Sequence, residues 1–167
     1  AKKGRDALVI QWNATEKLEN TSEHFTAFKE MLEKGAPSPA RNDGDVDAVK
    51  QNATKVLDVI YEIPALSHGQ MEPLNFFADV SNGKADLYGP TQVPEQVKKE
   101  VSEQLGIKPE NITVGVPRQG GGFGRKLMSD NGLEAALISA AAQSPVQVQW
   151  TREDDMSGGS YRPAVRY

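Results

Sequence analysis

At 167 residues the chain has the length of one ordinary domain, or of one lobe of something larger, and folding at that size removes roughly two-thirds of the unfolded surface. An apolar fraction of 38% with 7% aromatic residues is low for such a core, so polar stretches must lie outside it. The net charge of −4 argues against a nucleic-acid surface, which needs a basic stripe. Without cysteine the chain can hold no disulfide, thiolate metal site or iron–sulfur cluster, and His24 and His68 alone make a zinc site a poor expectation. No run approaches the roughly 18 apolar residues of a membrane span.

The opening Ala1-Lys2-Lys3-Gly4-Arg5 lacks an initiator Met and reads as cut from mid-protein. Residues 7–12, Ala-Leu-Val-Ile-Gln-Trp, are rich in β-formers and predict a strand. Thr21 or Ser22 is expected to cap a helix carrying Phe25, Phe28, Met31 and Leu32 at helical spacing, with Gly35 as its stop. Residues 35–47 read as a loop, and 45–51 as one short helix. Alternation of Val56, Asp58 and Ile60 against Leu57, Val59 and Tyr61 predicts a strand over 55–63 with one face more buried, ended by Pro64.

Residues 74–80 and 85–88, joined by Ser81-Asn82-Gly83-Lys84, form the clearest hairpin, because Asn-Gly supplies the positive-φ positions of a two-residue turn. An amphipathic helix is predicted over 94–105, with Pro94 in its first turn, Val97, Val101 and Leu105 on one face, and Gly106 as its stop. A strand follows over 111–116. After the glycine segment at 120–126 comes an Ala/Leu helix at 131–143, apolar on most sides and expected to be buried, then a strand at 146–150. This order predicts an α+β fold: a two-layer mixed sheet with helices packed on one face. Glu153-Asp154-Asp155 reads as a solvated helix start.

Arg118-Gln119-Gly120-Gly121-Gly122-Phe123-Gly124-Arg125-Lys126 follows a predicted strand and precedes a predicted helix. Its glycines reach backbone conformations closed to other residues and let amide N–H groups approach a ligand. Successive N–H groups in such a turn form an anion-binding concavity, and Arg118, Arg125 and Lys126 are expected to make the surroundings cationic. A phosphate, pyrophosphate or oxo-anion is the natural guest. Two familiar phosphate loops fail. The G-x-G-x-x-G fingerprint fits no register here, and Gly124 is followed by Arg125-Lys126-Leu127 rather than Lys-Ser/Thr. Phe123 among the glycines argues for a loop anchored by packing of its ring.

The sequence resembles the large, molybdopterin-binding subunits of the xanthine oxidase and aldehyde oxidase family, and within it the isoquinoline 1-oxidoreductase beta-subunit branch. Five stretches carry the likeness in order: Gly4-Arg5-Asp6-Ala7-Leu8 leading to Trp12; Tyr61-Glu62-Ile63-Pro64 leading to His68-Gly69-Gln70-Met71-Glu72-Pro73; Pro90-Thr91-Gln92-Val93-Pro94; the glycine motif; and Trp150-Thr151-Arg152-Glu153-Asp154-Asp155-Met156 with Tyr161-Arg162-Pro163.

By this likeness residues 1–16 end or follow a preceding hammerhead-type domain, and 17–167 make the first molybdenum-cofactor-binding lobe, incomplete without a downstream one. Gly121, Gly122, Phe123 and Gly124 would touch the molybdenum–pterin cofactor of the full-length parent, with Arg125 as the nearby cation, and no cofactor is expected bound to this chain alone. The family oxidises aldehydes or N-heterocycles with oxygen from water, passing electrons to a partner subunit carrying [2Fe-2S] clusters.

The family's catalytic glutamate lies beyond anything present, so no catalytic residue is assigned to this chain, which is expected to be inactive in isolation; Glu72 and Glu134 are not substitutes. Xanthine-oxidising members carry Gln where Leu66 stands and a substrate-holding Glu where Leu127 stands, which argues against purines. Subunits of the isoquinoline type lean towards a periplasmic location. The competing reading is a stand-alone interaction domain that binds a phosphate or other anion without redox chemistry.

Among single residues, His68 is expected to be hydrogen-bonded structurally, and Gln92 is equally a turn residue or a ligand contact. Met71 and Trp150 are expected in a core or interface.

Overall fold

The computed structural model describes residues 2–13, 20–35, 38, 41 and 43–167. The chain forms two compact units, Ala65–Pro163 and a second made of Ala1–Pro64 with Ala164–Tyr167. The boundary expected near residue 16 lies outside the described residues.

The larger unit is built on the predicted hairpin. Strands β2 (Asn75–Ser81) and β3 (Lys84–Tyr88) pair antiparallel from Phe77↔Tyr88 to Ser81↔Lys84. Asn82 (φ 50°) and Gly83 (φ 70°) hold the two positive-φ positions of the turn. Helix α4 (Pro94–Leu105), ended by Gly106 in the left-handed conformation, carries the chain over to β4 (Ile112–Gly115), which lies parallel to β3. A parallel neighbour requires such a crossover. Helix α5 (Asp130–Ala142) then leads to β5 (Val146–Gln149), antiparallel to β2. The sheet order is β4-β3-β2-β5 and the sheet is mixed.

Alternation along the strands sends Phe76, Ala78, Ala85, Leu87 and Ile112 into the core, where they meet Val97 and Val101 of α4 and Ala135 and Ala136 of α5. Both helices therefore cover one sheet face, as the α+β reading expected. Helix α5 is not buried on most sides: Leu137 and Ile138 are 41% and 42% exposed. Only the side bearing Gly132, Ala135, Ala136 and Ser139 faces inward. A Cβ at Gly132 would lie 2.7 Å from Val97 Cγ1, so glycine permits the close approach of α5 to α4. Ser139, fully buried, accepts from Val80 N (2.9 Å) and donates to the Ser144 carbonyl (2.9 Å), pinning α5 to the end of β2.

The smaller unit departs more from expectation. It contains helices α1 (Lys2–Asp6), α2 (Thr21–Lys34) and α3 (Val46–Asn52), and a two-stranded ribbon of β1 (Glu62–Ile63) with β6 (Val165–Arg166). Helix α2 is capped by Asn20, whose side chain accepts from Glu23 N, rather than by Thr21 or Ser22. The strand predicted over 7–12 is absent; Val9 and Trp12 are 99% and 82% exposed. The strand predicted over 55–63 shrinks to its last two residues, and no buried face forms on it. Strand conformation persists where backbone groups find partners. Here that is beside the C-terminal segment, where Tyr61 and Tyr167 exchange both backbone hydrogen bonds. None of the three helices buries a residue.

Candidate functional site: the glycine loop

The glycine segment leaves β4 and is tied down on every side within the larger unit. Glu72 N donates to the Gly120 carbonyl (3.1 Å), and Gly120 N donates back to Glu72 Oε2 (2.9 Å). The same carboxylate oxygen accepts from Lys126 Nζ at 2.6 Å. His68 Nδ1 lies 2.8 Å from the Phe123 carbonyl, Arg125 N donates to the Gly122 carbonyl (2.9 Å), and Leu127 N to the Gly124 carbonyl (3.2 Å). Gln92 N closes the far end on the Lys126 carbonyl (2.9 Å), and Gln119 Nε2 secures the near end on the Thr91 carbonyl (2.7 Å).

The consequence is a polarity. The carbonyls of Gly122, Phe123 and Gly124 all accept hydrogen bonds, whereas the N–H groups of Gly121, Gly122, Phe123 and Gly124 donate to no acceptor among the described residues. These four residues, with Gln92, Pro117, Gln119 and Leu127, line a cavity of about 540 Å³. A row of unspent donors beside a cavity suits an oxygen-rich, electron-rich guest. Gly121 (φ 84°) and Gly124 (φ 96°) stand where L side chains are strained, and Phe123 adopts φ 48° without being glycine. A Cβ at Gly122 would come 2.9 Å from Gln92 Oε1, the mobile end of that side chain, and 3.4 Å from Lys126 Cβ, so a side chain here would displace Gln92 on the cavity wall.

Two expectations about the loop are corrected. Phe123 does not anchor it by packing: the ring is 62% exposed, and its tie is the carbonyl held by His68. Nor are the surroundings broadly cationic. Lys126 is fully buried against Glu72, and Arg125, 4% exposed, makes a two-point contact with Asp130 (2.8 and 2.6 Å) while its guanidinium lies 5.8 Å from the centroid of the Trp150 ring. Of the three cations, Arg118 alone is exposed. The anion-favouring character therefore comes from backbone dipoles, with Arg125 turned inward as a support.

The segment before β2 and helix α6 (Arg152–Ser157) form the wall beneath. Thr151 and Asp154 make a reciprocal capping box. Asp155 is not solvated as expected; its side chain is 2% exposed and accepts from Gln70 Nε2 (2.6 Å) and Arg152 Nη1 (3.0 Å). Trp150 Nε1 donates to Glu134 Oε2 (3.2 Å), and Glu134 is not among the residues lining the cavity. Met71, 83% exposed, belongs to no core. His68 makes the hydrogen bond expected of it through Nδ1, while its Nε2 is buried without a partner among the described residues. Gln92 resolves towards the cavity, while the turn is held by Thr91 Oγ1 accepting from Val93 N. The Glu72–Lys126 pairing was invisible in the sequence because the partners stand 54 positions apart with no periodic relation.

Burial pushes the Glu72 carboxyl up, but the Lys126 hydrogen bond, the Gly120 N–H and the ammonium charge outweigh it and hold it below its ordinary value of 4.5. A carboxylate depressed on folding stabilises the fold above its unfolded pKa, and that contribution is lost as pH falls through the lowered folded value. The thermal midpoint of Glu72→Gln should therefore sit a constant interval below wild type from neutral pH down to about 4.5, with the gap closing at lower pH. An interval that did not change with acidification would show that the charge of Glu72 carries no stability.

A second cavity, about 500 Å³, lies in the smaller unit among Phe28, Met31, Leu32, Gly35, Ala164, Val165 and Arg166. Its lining is mostly apolar, unlike that of the glycine loop. Among the described residues no three His, Cys, Asp or Glu side chains cluster to hold a metal, and no helix is long and apolar enough to cross a membrane.

Residues 31–167 match the family described as Molybdopterin cofactor-binding domain. The chain is 32% identical over 129 residues to the aldehyde oxidoreductase molybdenum-binding subunit PaoC of Escherichia coli (strain K12), covering 77% of this chain and 18% of that protein. It is 27% identical over 176 residues to the isoquinoline 1-oxidoreductase subunit beta of Brevundimonas diminuta, covering 96% of this chain and 22% of the relative. Among solved structures, quinoline 2-oxidoreductase from Pseudomonas putida 86 superposes with a TM-score of 0.63 at 25% identity, over 73% of this chain and 16% of that one. The chain thus spans about a fifth of the length of such relatives. Its fold, its glycine loop and these likenesses together place it in the molybdopterin cofactor-binding family of the xanthine oxidase and aldehyde oxidase enzymes.

Proposed function

We propose that this chain supplies one cofactor-contacting lobe of a molybdenum hydroxylase large subunit, with Gly121, Gly122, Phe123 and Gly124 presenting backbone N–H groups to the molybdenum–pterin cofactor. The observation that carries this reading is the loop's polarity: the carbonyls at 122–124 are tied, and the amides at 121–124 are unspent beside a cavity. Oxo ligands and phosphate oxygens are strong acceptors, so the residues present fit the group. Preorganised donors of this kind cost no reorganisation when charge arrives. Arg125, the fifth residue of the site, holds the loop from behind through Asp130 rather than reaching the cavity. When bound, the cofactor would supply the metal at which oxygen from water is inserted into substrate and electrons are accepted.

On this reading residues 1–16 link from a preceding domain and 17–167 form the lobe. Electrons leave to an iron–sulfur subunit, a need consistent with a chain that has no cysteine. The substrate class is an aldehyde or N-heterocycle. It is supported by the activities in the relatives' names and by Leu127, 57% exposed on the cavity wall, which offers a planar substrate an apolar surface. Among the described residues no carboxylate lines that cavity, so the chain by itself should oxidise neither class.

The test is Gly122→Ala in the full-length enzyme. The added methyl group would displace the Gln92 side chain on the cavity wall and crowd Lys126 Cβ beneath the loop. The purified variant should contain less than about a tenth of the wild-type molybdenum and pterin per protein, measured by elemental analysis and pterin fluorescence, while remaining folded by circular dichroism. Full cofactor content would remove the loop from the contact surface.

A further inference from the structure

Glu72 stands outside the cavity yet touches the glycine loop at three points. Its backbone N–H and its carboxylate both engage Gly120, and the same carboxylate oxygen holds Lys126. The other oxygen lies 3.5 Å from Asn75 Nδ2, at the start of β2, so the clasp is rooted in the sheet. Gly120 is suited to this contact because a Cβ there would lie 2.5 Å from Glu72 Cβ. Lys126 completes the clasp from below. It is fully buried, its Cβ lies 3.4 Å from where a Cβ on Gly122 would stand, and its ammonium ends on Glu72.

We propose that Glu72, held by Lys126, is a positioning residue that fixes the glycine loop in the conformation that leaves the N–H groups at 121–124 without internal acceptors beside the cavity. The inference rests on the reading of that row as the cofactor contact.

The physical reason is one of geometry rather than strength. A buried ion pair is weak evidence for net stability, since desolvation offsets much of the attraction; its best-attested use is to specify one arrangement. Here the arrangement specified is the one in which Gly120 spends its N–H inward and the next four residues do not. A glycine-rich segment left to itself samples both hands of the backbone and would not keep four successive amides aligned. Lys126 also neutralises the carboxylate, so the clasp adds no net negative charge beneath a surface meant for an electron-rich guest.

The experiment compares two double variants with wild type by ¹⁵N relaxation and by titration with molybdate ion. Glu72→Ala/Lys126→Met removes the clasp and leaves no unpaired charge; Glu72→Gln/Lys126→Met removes the charges but retains an acceptor for Gly120. In the first, order parameters at 121–124 should fall from about 0.85 to below about 0.6, while amides of α4 and α5 keep their wild-type values. The second should recover much of that order. Molybdate affinity should weaken roughly tenfold in the first and less in the second.

Wild-type order at 121–124 in the alanine variant would overturn the proposal. Equal loosening of α4 and α5 would also overturn it, by making the clasp merely structural. If loop order follows Glu72 while Gly122→Ala leaves the cofactor content of the full-length enzyme unchanged, the positioning role stands and the cofactor reading of the loop is what fails.

Discussion

Replacing Phe76 with alanine is expected to destabilise the Ala65–Pro163 unit by about 3–5 kcal/mol. The ring is fully buried and lies at the meeting point of the sheet, α5 and the chain entering the functional site. Two of its neighbours are glycines: a Cβ at Gly89 would lie 2.3 Å from the ring, and one at Gly132 would lie 3.4 Å from it. Glycines have no side chains to swing into the vacated volume, so the cavity cannot collapse cheaply and the cost should fall at the upper end of that range.

Domains of this kind are stable by only about 5–15 kcal/mol, so the loss is a large share of the total. Denaturant unfolding should show a lower midpoint with an unchanged slope. A loss under about 1 kcal/mol would mean that the ring is not the packing centre. The same substitution should loosen the glycine loop, because Gly89 leads directly through Pro90 and Thr91 to Gln92 on the cavity wall.

Hydrogen exchange should divide the protein sharply. Amides of β2, β3 and α5 should exchange on the order of a thousandfold more slowly than those of α2 and α3. The larger unit has a contiguous core, so its inner amides open through unfolding of that core. Helix α2 spans 14 residues and buries none of them, and α3 spans 7 with the same result. Helices of that length that bury no residue fully are marginal in water. Their caps, Asn20 and Asp45, set where they begin but contribute only about 1 kcal/mol each. Comparable protection in α2 and α5 would show that the smaller unit has partners beyond those seen among the described residues.

The division of labour at the loop bears on how the site acquires its polarity. Residues that look like anion ligands in the sequence, Arg125 and Lys126, are spent on Asp130 and Glu72. Their role is to hold the backbone, and the backbone faces the cavity. A bulky cation pointed inward would compete with a large guest for space, whereas amide N–H groups occupy almost none. Four glycines within 120–124 suit a segment whose backbone, rather than its side chains, lines the cavity.

Local rules were enough where neighbours in sequence interact with one another. The Asn82-Gly83 turn, the stop at Gly106, the α4 face of Val97 and Val101, and the short helix behind Asp45 all follow from contacts a few residues apart. The strands expected over 7–12 and 55–63 did not, because a strand exists only if another segment offers its backbone groups, and that offer reached residues 61–63 alone. The burial of Asp155 was equally hidden, since it depends on Gln70, 85 residues away.

By itself, the sequence of residues 120–126 determined that the chain has a glycine-rich loop able to meet an electron-rich ligand, and that neither of the two familiar phosphate loops fits it. Only the tertiary structure decided which groups meet it. Glu72, His68 and Gln92 arrive from distant positions and take up the carbonyls of Gly120, Phe123 and Lys126 and the Lys126 ammonium, while the amides of 121–124 are left without acceptors. The reason is physical: spacing along a chain sets which conformations a backbone can reach, whereas hydrogen-bond satisfaction by remote partners sets which of its polar groups remain for a ligand.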